Sequence, residues 1–183
     1  TQIKKRFGTI DFIIHAVAYS DKNELNGRYV DTSKDNFINS LSISCYSFTR
    51  IAKIFQPIIN SGGSLVTLSF HGANKVMPNY NVMGVAKAAL ETSVKYLSVD
   101  LGDQDVRVNA ISAGPMRTLA GAAIANARDV FNYTSENSSL KRNVNLDELG
   151  NSALYLVSDL SSAITGEIHY VDCGFNIVGM PKS

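Results

Sequence analysis

Short apolar runs rich in β-formers alternate with long segments of helical periodicity, and this alternation restricts the fold more than any other feature of the chain. The stretch from Ile10 to Ala18 is nearly continuous in apolar residues, as expected of a strand buried on both faces. Thr32 and Ser33, followed by Asp35 and Asn36, signal a helix start. Phe37, Leu41, Phe48, Ile51, Ala52, Phe55 and Ile59 then recur at near-helical spacing, and Gly62-Gly63 is the expected stop. A second buried strand is predicted from Ser64 to Phe70. After a loop holding Gly72 and Pro78, a helix is predicted from Tyr80 to Leu101, with Ala86, Ala89, Leu90, Val94, Leu97 and Leu101 on one stripe. A third strand is expected from Val106 to Ser112, ended by Ala113-Gly114-Pro115, and a polar, Ala-rich stretch runs from Arg117 to Val144. A helix from Leu146 to Ser158, opened by Asn145 or Asp147, and a strand from Glu167 to Val171 complete the series.

Such a series predicts an α/β fold, a doubly wound parallel sheet with helices on both faces. At 183 residues the chain is long enough for one domain with a proper core. Its 45% apolar and 18% charged content is that of an ordinary soluble enzyme. A net charge of +1, with no basic run beyond Lys4-Lys5-Arg6, argues against a nucleic-acid or membrane-surface binder. No apolar segment approaches the ~20 residues needed to span a bilayer, and the opening TQIKKRFG lacks the apolar core of a secretion signal. Cys45 and Cys173 lack metal-ligand spacing and read as reduced thiols of a cytosolic protein. His15, His71 and His169 are too scattered for a metal box and read as hydrogen-bonded structural residues.

In a sheet of this kind ligands bind beyond the carboxyl ends of the strands. Those ends are Ala16 to Ser20, Ser69 to Gly72, and Ser112 to Met116. Tyr80 opens the helix after the second of them, and Lys87 follows seven positions later, about two turns on and roughly 10 Å away on the same face. Spacing alone fits an interfacial tyrosine and a solvated lysine equally well. The position on the ligand-binding rim favours chemistry.

HAVAYSD, TLSFHGA, PNYNVMGVAKAALE, VRVNAISAGPMRTLA and ITGEIHYVDCGF, in this order and spacing, resemble bacterial enoyl-acyl-carrier-protein reductases, a branch of the short-chain dehydrogenase/reductase superfamily. The resemblance runs from about Phe7 to Met180. Most of the superfamily carries Tyr-x3-Lys, which would need lysine where Gly84 stands; here six residues separate Tyr80 from Lys87, the spacing of the enoyl reductase branch. The resemblance implies reduction of trans-2-enoyl thioesters on acyl carrier protein by NADH, the last step of each fatty-acid elongation cycle, in the cytoplasm. It implies Tyr80 as hydrogen-bond donor to the thioester oxygen and Lys87 as holder of the nicotinamide ribose. Cofactor contacts carry over to Ala16, Val17, Lys87, Met116, Arg117, Thr118, Leu119 and Ala120. Substrate contacts carry over to Ser20, Phe70, Tyr80, Met83, Ala120 and Ile124. On the bare residues, Ser-Ala-Gly-Pro reads as a strand-ending turn, and Met83 and Ile124 fit a core as well as a pocket. The stretch 117–132 matches the family's mobile substrate loop, and Arg128 is a candidate contact for the acidic carrier protein.

Two residues depart from the family pattern. Phe70 stands where many members have a second tyrosine, and Cys173 replaces a glycine of the usual Val-Asp-Gly-Gly-Phe, read as a packing variation. No Gly-rich fingerprint follows a strand ahead of Tyr80, since Gly62-Gly63 precedes one. The chain therefore reads as the C-terminal part of a single Rossmann-like domain, with the first strands and phosphate loop missing and the strand at 10–18 left as an apolar edge. Acyl-length preference stays open, and cofactor choice between NADH and NADPH is read in the family from residues this chain does not include. The helices at about 34–60 and 80–101, with small residues Ala86, Ala88, Ala89 and Ser93, match those that join subunits in the superfamily, implying a homotetramer. A ketone or alcohol short-chain reductase, and a non-catalytic oligomerising fragment, are the alternatives.

Overall fold

The computed structural model describes residues 2–116, 118 and 126–180. A short helix α1 (Gln2–Phe7) leads into β1 (Ile10–His15). Helix α2 (Lys34–Leu41) continues through a π-helical turn (Ser42–Tyr46) into α3 (Ser47–Phe55). Then come β2 (Ile59–Phe70), α4 (Asn81–Gly102) and β3 (Arg107–Ala113). Helices α5 (Ala127–Asn137) and α6 (Leu146–Val157) precede β4 (Ile168–Val171). The four strands are all parallel, in the order β1-β2-β3-β4.

Alternate residues of β2 and β3 feed two cores. On one face Leu65, Val108 and Ala110 pack with Phe48 and Ala52 of α3 and with Leu90, Val94, Leu97 and Leu101 of α4. On the other, Val66, Ile111 and Ala113 pack with Leu156 of α6. Each of these larger side chains contributes about 1.5–3 kcal/mol by leaving water. The predicted stripe of α4 thus faces the sheet, and β3 is buried along its whole length. The start of α6 is fixed by Asn145: its side chain accepts from the Glu148 amide at 2.9 Å, and the Glu148 carboxylate accepts from the Asn145 amide at 3.0 Å.

Four expectations need correction. β1 is not buried on both faces, because Phe12 and Ile14 are about half exposed on this edge strand. The helix expected through residue 59 widens at Ser42–Tyr46 and ends at Phe55. There the Ser47 hydroxyl donates to the Ile43 carbonyl, and Ser44 turns sideways to accept from the Tyr19 amide and donate to the Tyr19 carbonyl, so side chains compete with the regular ladder. Gly62-Gly63 is not a helix stop but lies inside β2, where the pairing with β1 slips and Gly62 adopts φ +80°. The polar stretch after Arg117 holds a full helix, α5, so part of the expected loop at 117–132 is helical.

Candidate active site

The carboxyl ends of β1, β2 and β3, with the start of α4 and the first turn of α5, enclose one cavity of about 1370 Å³. Ala16, Val17, Ser20, Phe70, Tyr80, Met83, Lys87, Met116 and Thr118 all line it. The other residues named from the sequence, Arg117, Leu119, Ala120 and Ile124, lie outside the described residues. Arg128 stands exposed at the cavity's edge, with Val130 and Phe131 beside it.

Tyr80 is the last residue before α4, buried, and its ring meets Phe70 edge-on with centroids 4.9 Å apart. Asn79 and Asn81 on either side adopt positive φ, +58° and +31°, a region asparagine tolerates better than most residues. The Asn81 side chain donates to the carbonyls of Glu24 and Gly27, anchoring the loop below. Two glycines make room for the tyrosine. A Cβ on Gly72 would stand 2.4 Å from the Tyr80 ring, and one on Gly84 would stand 2.8 Å from the Gly72 carbonyl oxygen. Burial pushes the phenol's pKa well above its usual value, with the Glu91 carboxylate adding to the shift, so the hydroxyl keeps its proton.

Lys87 is 6% exposed, and its ammonium donates to the Leu68 carbonyl at 2.7 Å. Burial pulls its pKa down to about 8, against an opposing pull from Cys45 and Glu91. His15, at the end of β1, has the hydrogen-bonded structural role expected of it. Its Nδ1 shares a hydrogen bond with Thr67 Oγ1 (2.9 Å) and its Nε2 with Ser47 Oγ (2.8 Å), tying β1 to β2 and to α3. Burial first, and the Lys87 charge second, lower its pKa to about 4, so it is neutral. His71 departs from the hydrogen-bonded role expected of it: its Nδ1 is buried without a partner.

The loop after β1 is held by a buried polar row. The Asn36 side-chain carbonyl accepts from the Ser20 hydroxyl and the Asp21 amide, Ser40 donates to Ser20, and Ser44 holds Tyr19. Asn36, Ser40 and Ser44 recur every four residues, a signal visible in the sequence but masked there by their polar character.

The cavity fits a nicotinamide cofactor at its described end. The strand ends supply apolar and backbone surface, and Lys87 uses one of three N–H donors on Leu68, leaving others for hydroxyls. Among the described residues no group of three His, Cys, Asp or Glu could hold a metal, and no helix is long and apolar enough to cross a membrane. Cys45 and Cys173 are both free.

A family described as Enoyl-(Acyl carrier protein) reductase matches residues 1–176. Enoyl-[acyl-carrier-protein] reductase [NADH] 2 of Rhizobium meliloti is 58% identical over 179 residues, 98% of this chain and 67% of that protein. The corresponding NADH enzyme of Rickettsia conorii is 54% identical, over 98% of this chain and 69% of its own length. Among solved structures, the Anaplasma phagocytophilum enoyl-(acyl-carrier-protein) reductase in complex with NAD superposes with a TM-score of 0.95 at 57% identity, over 100% of this chain and 70% of that one. The chain therefore spans about two thirds of the length of the relatives it matches.

Proposed function

The chain belongs to the enoyl-(acyl carrier protein) reductase family, and from that premise we propose that it reduces trans-2-enoyl thioesters carried on acyl carrier protein with NADH, closing each cycle of fatty-acid elongation. The observation that carries the reading is the meeting of Tyr80, Lys87 and Phe70 on the wall of one cavity at the strand ends. NADH, when bound, supplies the hydride that reaches the β-carbon of the substrate.

The chain's own residues would do the rest. As the double bond is reduced, negative charge builds on the thioester oxygen, and a preformed donor aimed there lowers the barrier. Tyr80 is that donor: its raised pKa keeps the proton on the phenol, so it gives a hydrogen bond without carrying charge. Phe70 brings no hydroxyl, leaving Tyr80 as the phenol of this pair, and the edge-on contact orients the ring. Lys87 would hold the ribose hydroxyls, with Ala16, Val17, Met116 and Thr118 facing the same ligand. The apolar side of Met83 and the small Ser20 suit an alkyl chain. Arg117, Leu119, Ala120 and Ile124 join these sets on the family pattern, and Arg128 is a candidate contact for the carrier protein.

Self-association into a homotetramer is part of the reading, and it is supported by Tyr96 and Val99, exposed at 73% and 77% on α4. So is a place in the cytoplasm. The test is NADH oxidation by the natural polypeptide that carries this chain. Consumption with a trans-2-enoyl thioester and not with a 3-oxoacyl thioester is expected. Turnover of the 3-oxoacyl substrate alone would replace this reading with a ketone reductase, and turnover of neither would leave a non-catalytic protein.

A further inference from the structure

We propose that Glu91 is a positioning residue for Lys87, a buried carboxylate one turn along α4 that keeps the lysine ammonium protonated at neutral pH. The proposal rests on the reading above, in which Lys87 holds the ribose of the cofactor.

Residues four apart stack on one face of a helix, and Lys87 and Glu91 are both buried there, 6% and 8% exposed. They make no direct ion pair. Each is tied instead to the last residues of β2. The Lys87 ammonium donates to the Leu68 carbonyl at 2.7 Å. Glu91 Oε1 accepts from the Ser69 hydroxyl at 2.5 Å, and Oε2 accepts from the Asn74 side-chain amide at 3.1 Å. Asn74 also donates to the Tyr170 hydroxyl at 3.0 Å, bracing the group against β4. Both carboxylate oxygens thus face donors, the environment that suits a negative charge.

A carboxylate placed this way is needed because of what surrounds the lysine. His15 from β1, Cys45 from the π-helical turn and Glu91 from α4 itself are the titratable groups that act on it or that it acts on, and Glu91 is the only carboxylate among them. Around Glu91 stand Tyr80 at the head of α4, His71 after β2 and Tyr170 on β4. Removal from water works against the ammonium, and a fixed opposite charge in a poorly screened interior works for it. A direct salt bridge would consume the ammonium's donors. A charge held one turn away leaves them for the ligand.

The test reads Lys87 directly, with no cofactor present. The natural polypeptide that carries this chain is labelled with 13C at the lysine ε-carbons and titrated by NMR across neutral and alkaline pH, the Lys87 signal being the one absent from Lys87→Arg. Glu91→Gln keeps an acceptor for Ser69 and removes the charge. It should lower the Lys87 titration by about one pH unit, an approximately tenfold loss of proton affinity, while Glu91→Asp should stay near the wild type. A Lys87 titration unmoved in Glu91→Gln would overturn the proposal and leave Glu91 as a hydrogen-bonded staple. The double variant Ser69→Ala with Glu91→Met removes the charge together with the Ser69 donor, while Asn74 keeps its bond to Tyr170, and the same downward shift is expected there. NADH affinity of the same variants is read separately. A moved titration with unchanged affinity would uphold the coupling and discard the role of Lys87 at the ribose.

Discussion

Gly72 lies so close against the ring of Tyr80 that a Cβ added to it would sit 2.4 Å from Cδ1 and 2.7 Å from Cε1. The glycine is thus part of how the phenol is seated, although it makes no chemistry of its own. Gly72→Ala should push the ring off its contact with Phe70 and lower turnover about 10- to 100-fold, the scale of a misplacement near 1 Å. Steady-state turnover, read beside the near-ultraviolet dichroism of the tyrosines, checks this. A variant with normal turnover and an unmoved spectrum would mean that the backbone, not the ring, gives way.

Tyr80 and Lys87 are assigned different tasks, so their variants should fail differently. Tyr80→Phe removes a donor aimed at developing charge and should cut turnover about 100-fold or more, with NADH affinity nearly unchanged. Lys87→Ala should weaken NADH binding. Parallel measurement of turnover and of the NADH dissociation constant separates the two. Loss of affinity in Tyr80→Phe with turnover intact would reverse the assignment.

The rim was legible because two periodicities sufficed to find it. The alternation of runs located the strand ends, and the count from Tyr80 to Lys87 put both on the wall of one cavity. What stayed hidden were buried polar groups. Glu91 follows Lys87 by one turn, yet a charged residue in a helix ordinarily reads as solvated, and only the placement of Ser69 and Asn74 shows why it is inside. The hydrogen-bonded role of His15 was expected, but its partners were not, since Thr67 and Ser47 reach it from distant segments. The π-helical turn is invisible to a pattern of period 3.6. The exposure of Phe12 and Ile14 depends on what lies beside β1, which an apolar run cannot report.

Lys87 carries a cost in stability that its role would justify. Its pKa falls from 10.5 to about 8 in the folded chain, chiefly through burial. Between those values the unfolded state binds more protons, so stability rises with pH through that window and is lowest below it. Lys87→Met should therefore be more stable than the wild type at neutral pH by about 1–2 kcal/mol, allowing for the lost bond to Leu68. It should also lose the rise between pH 8 and 10.5. Urea unfolding at neutral and alkaline pH measures both. A less stable Lys87→Met would show that the ammonium is a net structural asset.

His15 acts at the other end of the pH scale. Its pKa is depressed from 6.5 to about 4 by burial and by the Lys87 charge. The unfolded chain therefore takes up a proton first as pH falls. The stability contributed by neutral His15 is complete above pH 6.5 and drains away down to about pH 4. His71, also depressed by burial, adds a loss of the same sign. The share due to His15 is the difference between wild type and His15→Asn, whose decline over this window should be shallower. Denaturation midpoints taken across the window decide it, and parallel declines in the two proteins would count against His15.

Cys173 is more than the packing variation that the sequence suggested. It sits just after β4 with φ +58°, in the left-handed region that favours glycine, while the next residue, Gly174, is left-handed as well. The turn is held by Asp172, whose carboxylate accepts from the Gly174 and Asn176 amides, both at 2.9 Å, so the backbone cannot relax away. A left-handed residue with a Cβ costs about 1–2 kcal/mol, and glycine gives back roughly 0.5–1 kcal/mol through its freer unfolded chain. Cys173→Gly should accordingly stabilise the protein by about 0.5–1 kcal/mol. Cys173→Ala, which keeps the Cβ and removes only the sulfur, should bring no such gain. Thermal or urea midpoints of the three proteins separate backbone strain from thiol packing. A gain in the alanine variant equal to that in the glycine variant would place the penalty on the sulfur.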